Sequence, residues 1–487
     1  MKKPNWKSEK NLSLLVDFYE ITMTNGYLMN NDTDVRVYFD YFFRRVPDGG
    51  GFAITAGLEQ FIDYVMNIEF SDEDLEMLRN MDMFSEAFLE YLRTFKFDGD
   101  IWAIPEGTPV FPNTPIVTIG ASILQAQLIE TMLLLTLNHQ SLIATKANRI
   151  VRSAGKKPVV DFGARRGHGI DATLYGARAM YISGCIGTSN VLAHKMFDIP
   201  VVGTMAHSWV QFYGDDRTAF KNYAMAYPHK SVFLVDTYNV LNSGVPAAID
   251  VFRTMEKDAY MGIRLDSGDL NYFAVKSRKL LDNAGFTDAK ITVSSSLDEY
   301  KIRELEMQGA PIDSYGVGER MMTSSSEPVY GGVYKLVAVE KNGKIEPRIK
   351  LSEDIIKVTN PGLKDVWRFY DNNTGKAFSD LLTFKGETVG QTYVLFDEAM
   401  PSKKKTAKNF TARKLQETIV EKGKIVYEFP TLDEIREYCQ SEINKLWDGL
   451  LRFETPDQYY VNLSFDLWNE KRSQIEENYT KLESTSK

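Results

Sequence analysis

Six short apolar runs recur through the middle of the chain, at residues 158–161, 199–203, 231–236, 262–265, 290–294 and 312–317, with helical patterning between them. Alternation of this kind specifies parallel strands joined by crossover helices, and so a parallel α/β sheet or barrel. Each run ends in a polar or glycine-rich cluster: F-G-A-R-R, G-T-M-A-H-S, D-T-Y-N, R-L-D-S-G-D, S-S-S and Y-G-V-G-E. In barrels of parallel strands the active site sits where strands feed their βα loops, so the six clusters converge on one mouth. Read as mere turns they carry no such meaning, because Gly, Ser and Asp punctuate loops everywhere.

The flanking sequence has a different texture. A helical pattern over 14–28, an aromatic strand over 35–43 and a Gly-rich turn at 47–51 precede two helical stretches, 56–68 and 71–94. Pro-broken strands follow over 101–119, and an unbroken helical pattern runs over 125–154. Beyond about residue 333 alternating strands return, with a turn at Asn342-Gly343 and a basic run at 403–408 that reads as a solvated face or loop. At 487 residues the chain exceeds the size of one core, so several domains are expected: 1–124 as α+β, 125–340 as the α/β part, and 341–487 as a C-terminal region.

Fifty-seven basic and sixty-six acidic side chains leave a net charge of −9, which excludes a global positive field for nucleic acid or an anionic membrane. Only Cys185 and Cys439 are present, so neither a disulfide framework nor a Cys-x-x-Cys zinc site is encoded. Residues 1–10 are basic and polar with no apolar run after them, and no stretch is long and apolar enough to span a bilayer. A cytoplasmic location is the expectation.

The clusters have the chemistry of a site for phosphorylated sugars. Ser294-Ser295-Ser296 and Gly316-Val317-Gly318 offer backbone N–H groups that suit phosphate, although either could serve only as a helix cap. Asp236 and Asp266 suit hydroxyls or Mg²⁺, and Gly268 lets a ligand approach the backbone, whereas Asp269 reads as a cap. Arg264 lies two residues before Asp266, on the same face of the strand; it suits a carboxylate or phosphate, or pairs structurally with that Asp. Arg165 and Arg166 follow another strand end, with Phe162 placed to stack on a flat base. His207 stands out from the other four histidines by its strand-end position near Thr204 and Ser208, with Asp161, Asp236 and Asp266 as expected neighbours. Neutral imidazole is a competent nucleophile toward phosphorus when a carboxylate orients it.

Taken in order, D-F-Y-E-I-T-M, F-F-R-R-V-P, F-G-A-R-R, G-T-M-A-H-S, G-I-R-L-D-S-G-D and G-V-Y-K-L-V resemble the nicotinate phosphoribosyltransferases. The resemblance implies a type II phosphoribosyltransferase: an irregular α/β barrel with an α+β domain built from N- and C-terminal segments, working as a homodimer. It implies formation of nicotinate mononucleotide and pyrophosphate from nicotinate and 5-phosphoribosyl 1-pyrophosphate (PRPP), with Mg²⁺, in NAD synthesis. ATP as co-substrate would phosphorylate His207, although the chain has no G-x-x-x-x-G-K-[ST] loop to signal nucleotide independently. Arg264 and Thr204 would contact nicotinate, with Tyr19 stacking from the partner subunit and Phe162 and Arg165 bordering the base. Asp236, Asp266 and Gly268 would face ribose, pyrophosphate or Mg²⁺; Ser294, Ser295, Gly316 and Gly318 would take the 5′-phosphate; Arg45 and Lys335 look like further phosphate contacts.

Two positions bear on how closely the chain follows that pattern. Many relatives carry a phosphate-binding Thr where this chain has Glu319. Nicotinamide phosphoribosyltransferases, the nearest rival, place an Asp after a Gly-Thr pair; here Ser189 follows Gly187-Thr188, and a missing acid favours the carboxylate of nicotinate. A barrel lyase or phosphate-ligand-binding protein that makes no use of ATP is the alternative from another class.

Overall fold

The computed structural model describes residues 11–352, 354, 357–396, 402 and 404–485; residues 1–10 and 403, on which readings were made above, lie outside these. The chain divides into two compact units, Leu142–Pro328 and the pair of segments Met1–Ser141 and Val329–Lys487.

In the unit Leu142–Pro328 the strands are β1 (Val159–Asp161), β2 (Lys230–Leu234), β3 (Tyr260–Leu265), β4 (Lys290–Val293) and β5 (Ser314–Val317). They lie side by side in the order β1-β5-β4-β3-β2, every pair parallel. Strands covered on both faces read as continuous apolar runs, which is why these five were visible in the sequence. Phe233 on β2 stacks at 4.7 Å on Phe220 of the helix Asp216–Ala226 and at 5.2 Å on Phe252 of the helix Val245–Phe252. All three rings are essentially inaccessible, so truncating any of them should cost ~3–5 kcal/mol.

The sixth run, 199–203, forms no extended strand. Val201 makes a single parallel bridge to Thr188, which bridges in turn to Asp161. Thr188 donates to the carbonyl of Pro200 and Val202 donates to Thr188, but Pro200 has no N–H with which to extend the ladder. Among the described residues no sheet closes on itself; the unit is a mixed α/β arrangement of five parallel strands, with single parallel bridges continuing from Asp161 to Thr188 and Val201.

The other unit contains a seven-stranded antiparallel sheet ordered Lys344–Pro347, Val333–Lys341, Arg36–Phe42, Val117–Ser122, Asp100–Ala103, Glu417–Glu421 and Lys424–Ile425. Segments distant in sequence pair here, Arg36–Phe42 with Val333–Lys341 and Asp100–Ala103 with Glu417–Glu421. This pairing places Val333–Lys341 outside the parallel sheet, so the division falls at 328/329 and not at 340/341. The other division falls at 141/142, inside the long helix Glu130–Ser153, and not at 124/125. A second sheet orders Phe410–Lys414, Lys364–Asp371, Ala377–Phe384 and Val461–Leu463. The basic run, expected as a solvated face or loop, holds the strand Lys404–Ala407, paired antiparallel with Tyr393–Phe396, with Lys404, Lys405 and Lys408 exposed.

Candidate active site

The carboxyl ends of β1 to β5 gather one connected group of polar side chains. Arg264, the fifth residue of β3, donates from Nη1 to Thr204 Oγ1 at 2.5 Å, and its Nη2 lies 3.6 Å from Asp266 Oδ2. Its guanidinium carbon stands 5.6 Å from the centre of the Phe162 ring. The side chain is 14% exposed, and its Nε is buried without a hydrogen-bond partner. Burial pushes Arg264 below the ordinary guanidinium value, while Asp266 and Asp236 pull it back up; an arginine stays charged throughout.

His207 begins the helix His207–Tyr213. Its Nδ1 is 3.1 Å from Thr237 Oγ1 and its Nε2 3.7 Å from Asp266 Oδ2. Asp266 is thus shared: Oδ2 faces both Arg264 and His207, and Oδ1 accepts from Ser294 Oγ. Asp236, at the end of β2, accepts through Oδ2 from the Asp266 amide at 3.2 Å and from Ser267 Oγ at 2.5 Å; its Oδ1 is buried with no hydrogen-bond partner. Thr237 and Ser267 were not singled out from sequence, although each adjoins a predicted acid.

Asp161 was expected beside His207 and is committed elsewhere. Its carboxylate accepts from the Gly163 amide and from Thr188 Oγ1, both at 2.7 Å. Its carbonyl accepts from the Ser189 amide at 2.8 Å, so one acid ties the F-G-A-R-R loop to the position that bears on substrate choice. Gly316 is required by shape: a Cβ there would come 2.4 Å from the Phe162 ring. Gly268 has φ +76°, and a Cβ there would meet the Phe273 ring at 2.5 Å.

The serine loop does not cap a helix. Asp298 caps the following helix, Glu299–Met307, by accepting from the Lys301 amide. Ser295 and Ser296 instead adopt left-handed backbone, φ 88° and 49°, a strained pair of the kind that clusters at ligand sites. Asp269 does cap its helix, Leu270–Asn283, accepting from the Tyr272 amide. Glu319, which follows Gly318, turns to Arg166 at 3.5 Å, with both side chains more than half exposed. Arg165 is exposed in the same loop.

Tyr19, Arg45 and Lys335 belong to the other unit. Tyr19 lies in the helix Phe18–Met29 and Lys335 on the strand Val333–Lys341, while Arg45 follows Arg36–Phe42.

Strand ends that concentrate acids, a histidine, a buried arginine and a strained serine loop define an α/β enzyme built for phosphorylated small molecules. The chain belongs to the nicotinate phosphoribosyltransferase family: models of its N-terminal domain, of the family proper and of its C-terminal domain match residues 14–138, 158–356 and 363–471. It is 44% identical to nicotinate phosphoribosyltransferase of Bacillus subtilis, over 98% of this chain and 97% of that one. It is 31% identical to the enzyme of that name from Homo sapiens, over 93% and 94%. The crystal structure of human nicotinic acid phosphoribosyltransferase matches with a TM-score of 0.84 and 28% identity, covering 95% of this chain and all of that one. Nicotinate-nucleotide pyrophosphorylase from Pyrococcus furiosus matches with a TM-score of 0.70 and 25% identity, covering 91% and 98%.

Proposed function

We propose that this enzyme forms nicotinate mononucleotide and pyrophosphate from nicotinate and PRPP, serving NAD synthesis in the cytoplasm, with His207 accepting a phosphoryl group from ATP. The observation that carries the reading is the grouping of Arg264, Thr204 and Phe162 beside Asp266 and His207. A flat ring bearing a carboxylate needs a cation and an aromatic wall, and Arg264 and Phe162 offer both, with Arg165 at the rim. The pyridine nitrogen attacks C1′ of the ribose, the C1′–O bond to pyrophosphate breaks, and both electrons leave with that oxygen. Ser294, Ser295, Gly316 and Gly318 take the 5′-phosphate, while Asp236, Asp266 and Gly268 face the ribose and pyrophosphate.

Mg²⁺ fits beside Asp236 and Asp266, because hard oxygen donors are present and Asp236 Oδ1 is buried with no partner. Among the described residues no three His, Cys, Asp or Glu side chains form a metal cage; Asp236 and Asp266 would hold the ion together with oxygens of the substrate's pyrophosphate. When bound, the ion offsets the leaving group's charge. The imidazole of His207 forms a P–N bond with the γ-phosphorus of ATP as the P–O bond to ADP breaks, and hydrolysis of the phosphohistidine restores it. Thr237 holds the ring at Nδ1, and Asp266 lies 3.7 Å from Nε2.

The five-stranded parallel sheet is the core of an irregular barrel in this reading, and the active form is a homodimer in which Tyr19 stacks on nicotinate from the partner subunit. No described helix is long and apolar enough to cross a membrane, and both cysteines are buried free thiols, which suits a reducing compartment. Initial rates with PRPP and nicotinate, nicotinamide or quinolinate, with and without ATP, test the assignment. Product from nicotinate alone, stimulated by ATP, is expected; preferential turnover of either other base overturns it.

A further inference from the structure

One carboxylate joins the two loops that are proposed to share the 5′-phosphate. The serine loop leaves β4 and the glycine cradle leaves β5, and these strands are parallel neighbours. Asp298 accepts at Oδ1 from the Lys301 amide at 2.9 Å and so caps the helix Glu299–Met307. Capping occupies one oxygen only; the other, Oδ2, accepts from Arg320 Nη1 in the helix Glu319–Met322, just beyond Gly318. The Asp298 side chain is 15% exposed and the Arg320 side chain 47%, so the pair is anchored at its acid. A second, buried link joins the same two segments: the Lys146 ammonium reaches the carboxylate of Glu299, the residue after Asp298, and donates to Ser326 Oγ, each at 2.8 Å. Lys301 Nζ donates to the Ser295 carbonyl at 3.4 Å. A trans peptide points its C=O and N–H to opposite sides, so the Ser296 amide faces away from that lysine.

We propose that Asp298 is a positioning residue for the 5′-phosphate: through Arg320 it fixes the spacing between the serine loop and the glycine cradle, so that backbone N–H groups of both meet one phosphate. The inference rests on the proposed phosphate role of these loops. A phosphate gripped by two loops must order both, and loops already tied together lose less freedom when it binds. The left-handed backbone of Ser295 and Ser296 persists only where the surroundings enforce it, and Asp298 and Lys301 fasten the loop immediately after it.

Steady-state kinetics test this on Asp298→Ser, Arg320→Gln, Arg320→Lys, the double variant Asp298→Ser/Arg320→Gln, and Ser295→Glu, each with KM for PRPP, KM for nicotinate and melting temperature. Serine keeps a capping oxygen for the Lys301 amide but is too short, and uncharged, to hold Arg320. Asp298→Ser and Arg320→Gln should each raise the PRPP KM about fivefold, the upper end for an ion pair with one exposed partner, with the nicotinate KM and melting temperature little changed. The double variant should be no worse than either single one, because both changes remove one interaction, and Arg320→Lys, which keeps the charge, should recover much of the loss. Additive losses in the double variant would mean that Arg320 meets the phosphate itself, and they overturn the inference, as do an unmoved PRPP KM in Asp298→Ser or equal rises in the KM of both substrates. Ser295→Glu sets a carboxylate in the serine loop. If it leaves the PRPP KM unchanged, the phosphate role of the loop is what fails, and the inference falls with it; a raised KM there, without the coupling, refutes Asp298 alone.

Discussion

Replacing Arg264 with alanine removes a cation that faces both the Phe162 ring and Asp266. The guanidinium is mostly buried, donates to Thr204 and lies 3.6 Å from Asp266. A ligand carboxylate received there forms charge-assisted hydrogen bonds in a partly desolvated setting, each worth about 1.5–3 kcal/mol. At about 1.4 kcal/mol per factor of ten, losing one such contact raises the nicotinate KM roughly 10- to 150-fold. Truncation also frees Asp266 from its arginine, so its negative charge would repel the substrate and push the effect toward the upper end. The assay is initial rate against nicotinate at saturating PRPP, repeated with nicotinamide, which has no carboxylate to lose. Arg264→Ala should narrow the preference between the two bases by about the factor lost in KM. An unchanged nicotinate KM, or equal losses for both bases, would refute the carboxylate role of Arg264.

Two other perturbations follow from the packing. Gly316→Ala would set a Cβ 2.4 Å from the Phe162 ring; the ring must swing away, so weaker nicotinate binding is expected, and an unmoved nicotinate KM would contradict the contact. Burial lifts the Glu20 carboxyl from 4.5 to about 7. A raised folded-state value means that the native protein binds the proton more tightly than the unfolded chain does. The stability this confers is therefore complete below pH 4.5 and lost as pH rises through about 7. Compared with Glu20→Gln, wild-type unfolding free energy should fall across that window by up to about 1.4 kcal/mol per pH unit, and parallel stability curves in denaturant titrations would argue against it.

Much of the site could be read in the sequence because its strands are buried on both faces and therefore announce themselves as apolar runs. Local rules did well where the physics is local, as with Asp269 capping its helix and Asn342-Gly343 turning between two strands. Where two local explanations compete the structure separates them: Ser294–Ser296 could have served only as a cap, but Asp298 caps the helix and leaves the serines to a strained loop. Pro200 cut short a run whose composition otherwise suits a strand. The domain division was misplaced because Val333–Lys341 is assigned by pairing with Arg36–Phe42, almost three hundred residues away, and no periodicity encodes a partner. Thr237 and Ser267 went unmarked because hydroxyls are common at strand ends; only proximity to His207 and Asp236 gives them meaning. Glu319, an acid directly after the Gly316–Gly318 cradle, turns toward Arg166.

The account turns on His207. Incubation with γ-labelled ATP, followed by acid and base treatment and peptide mapping, reports a phosphohistidine directly. Acid-labile, base-stable label on the His207 peptide is predicted, absent in His207→Ala, which should keep weak nicotinate turnover that ATP no longer stimulates. Label elsewhere or none at all, or undiminished ATP stimulation in His207→Ala, would contradict it.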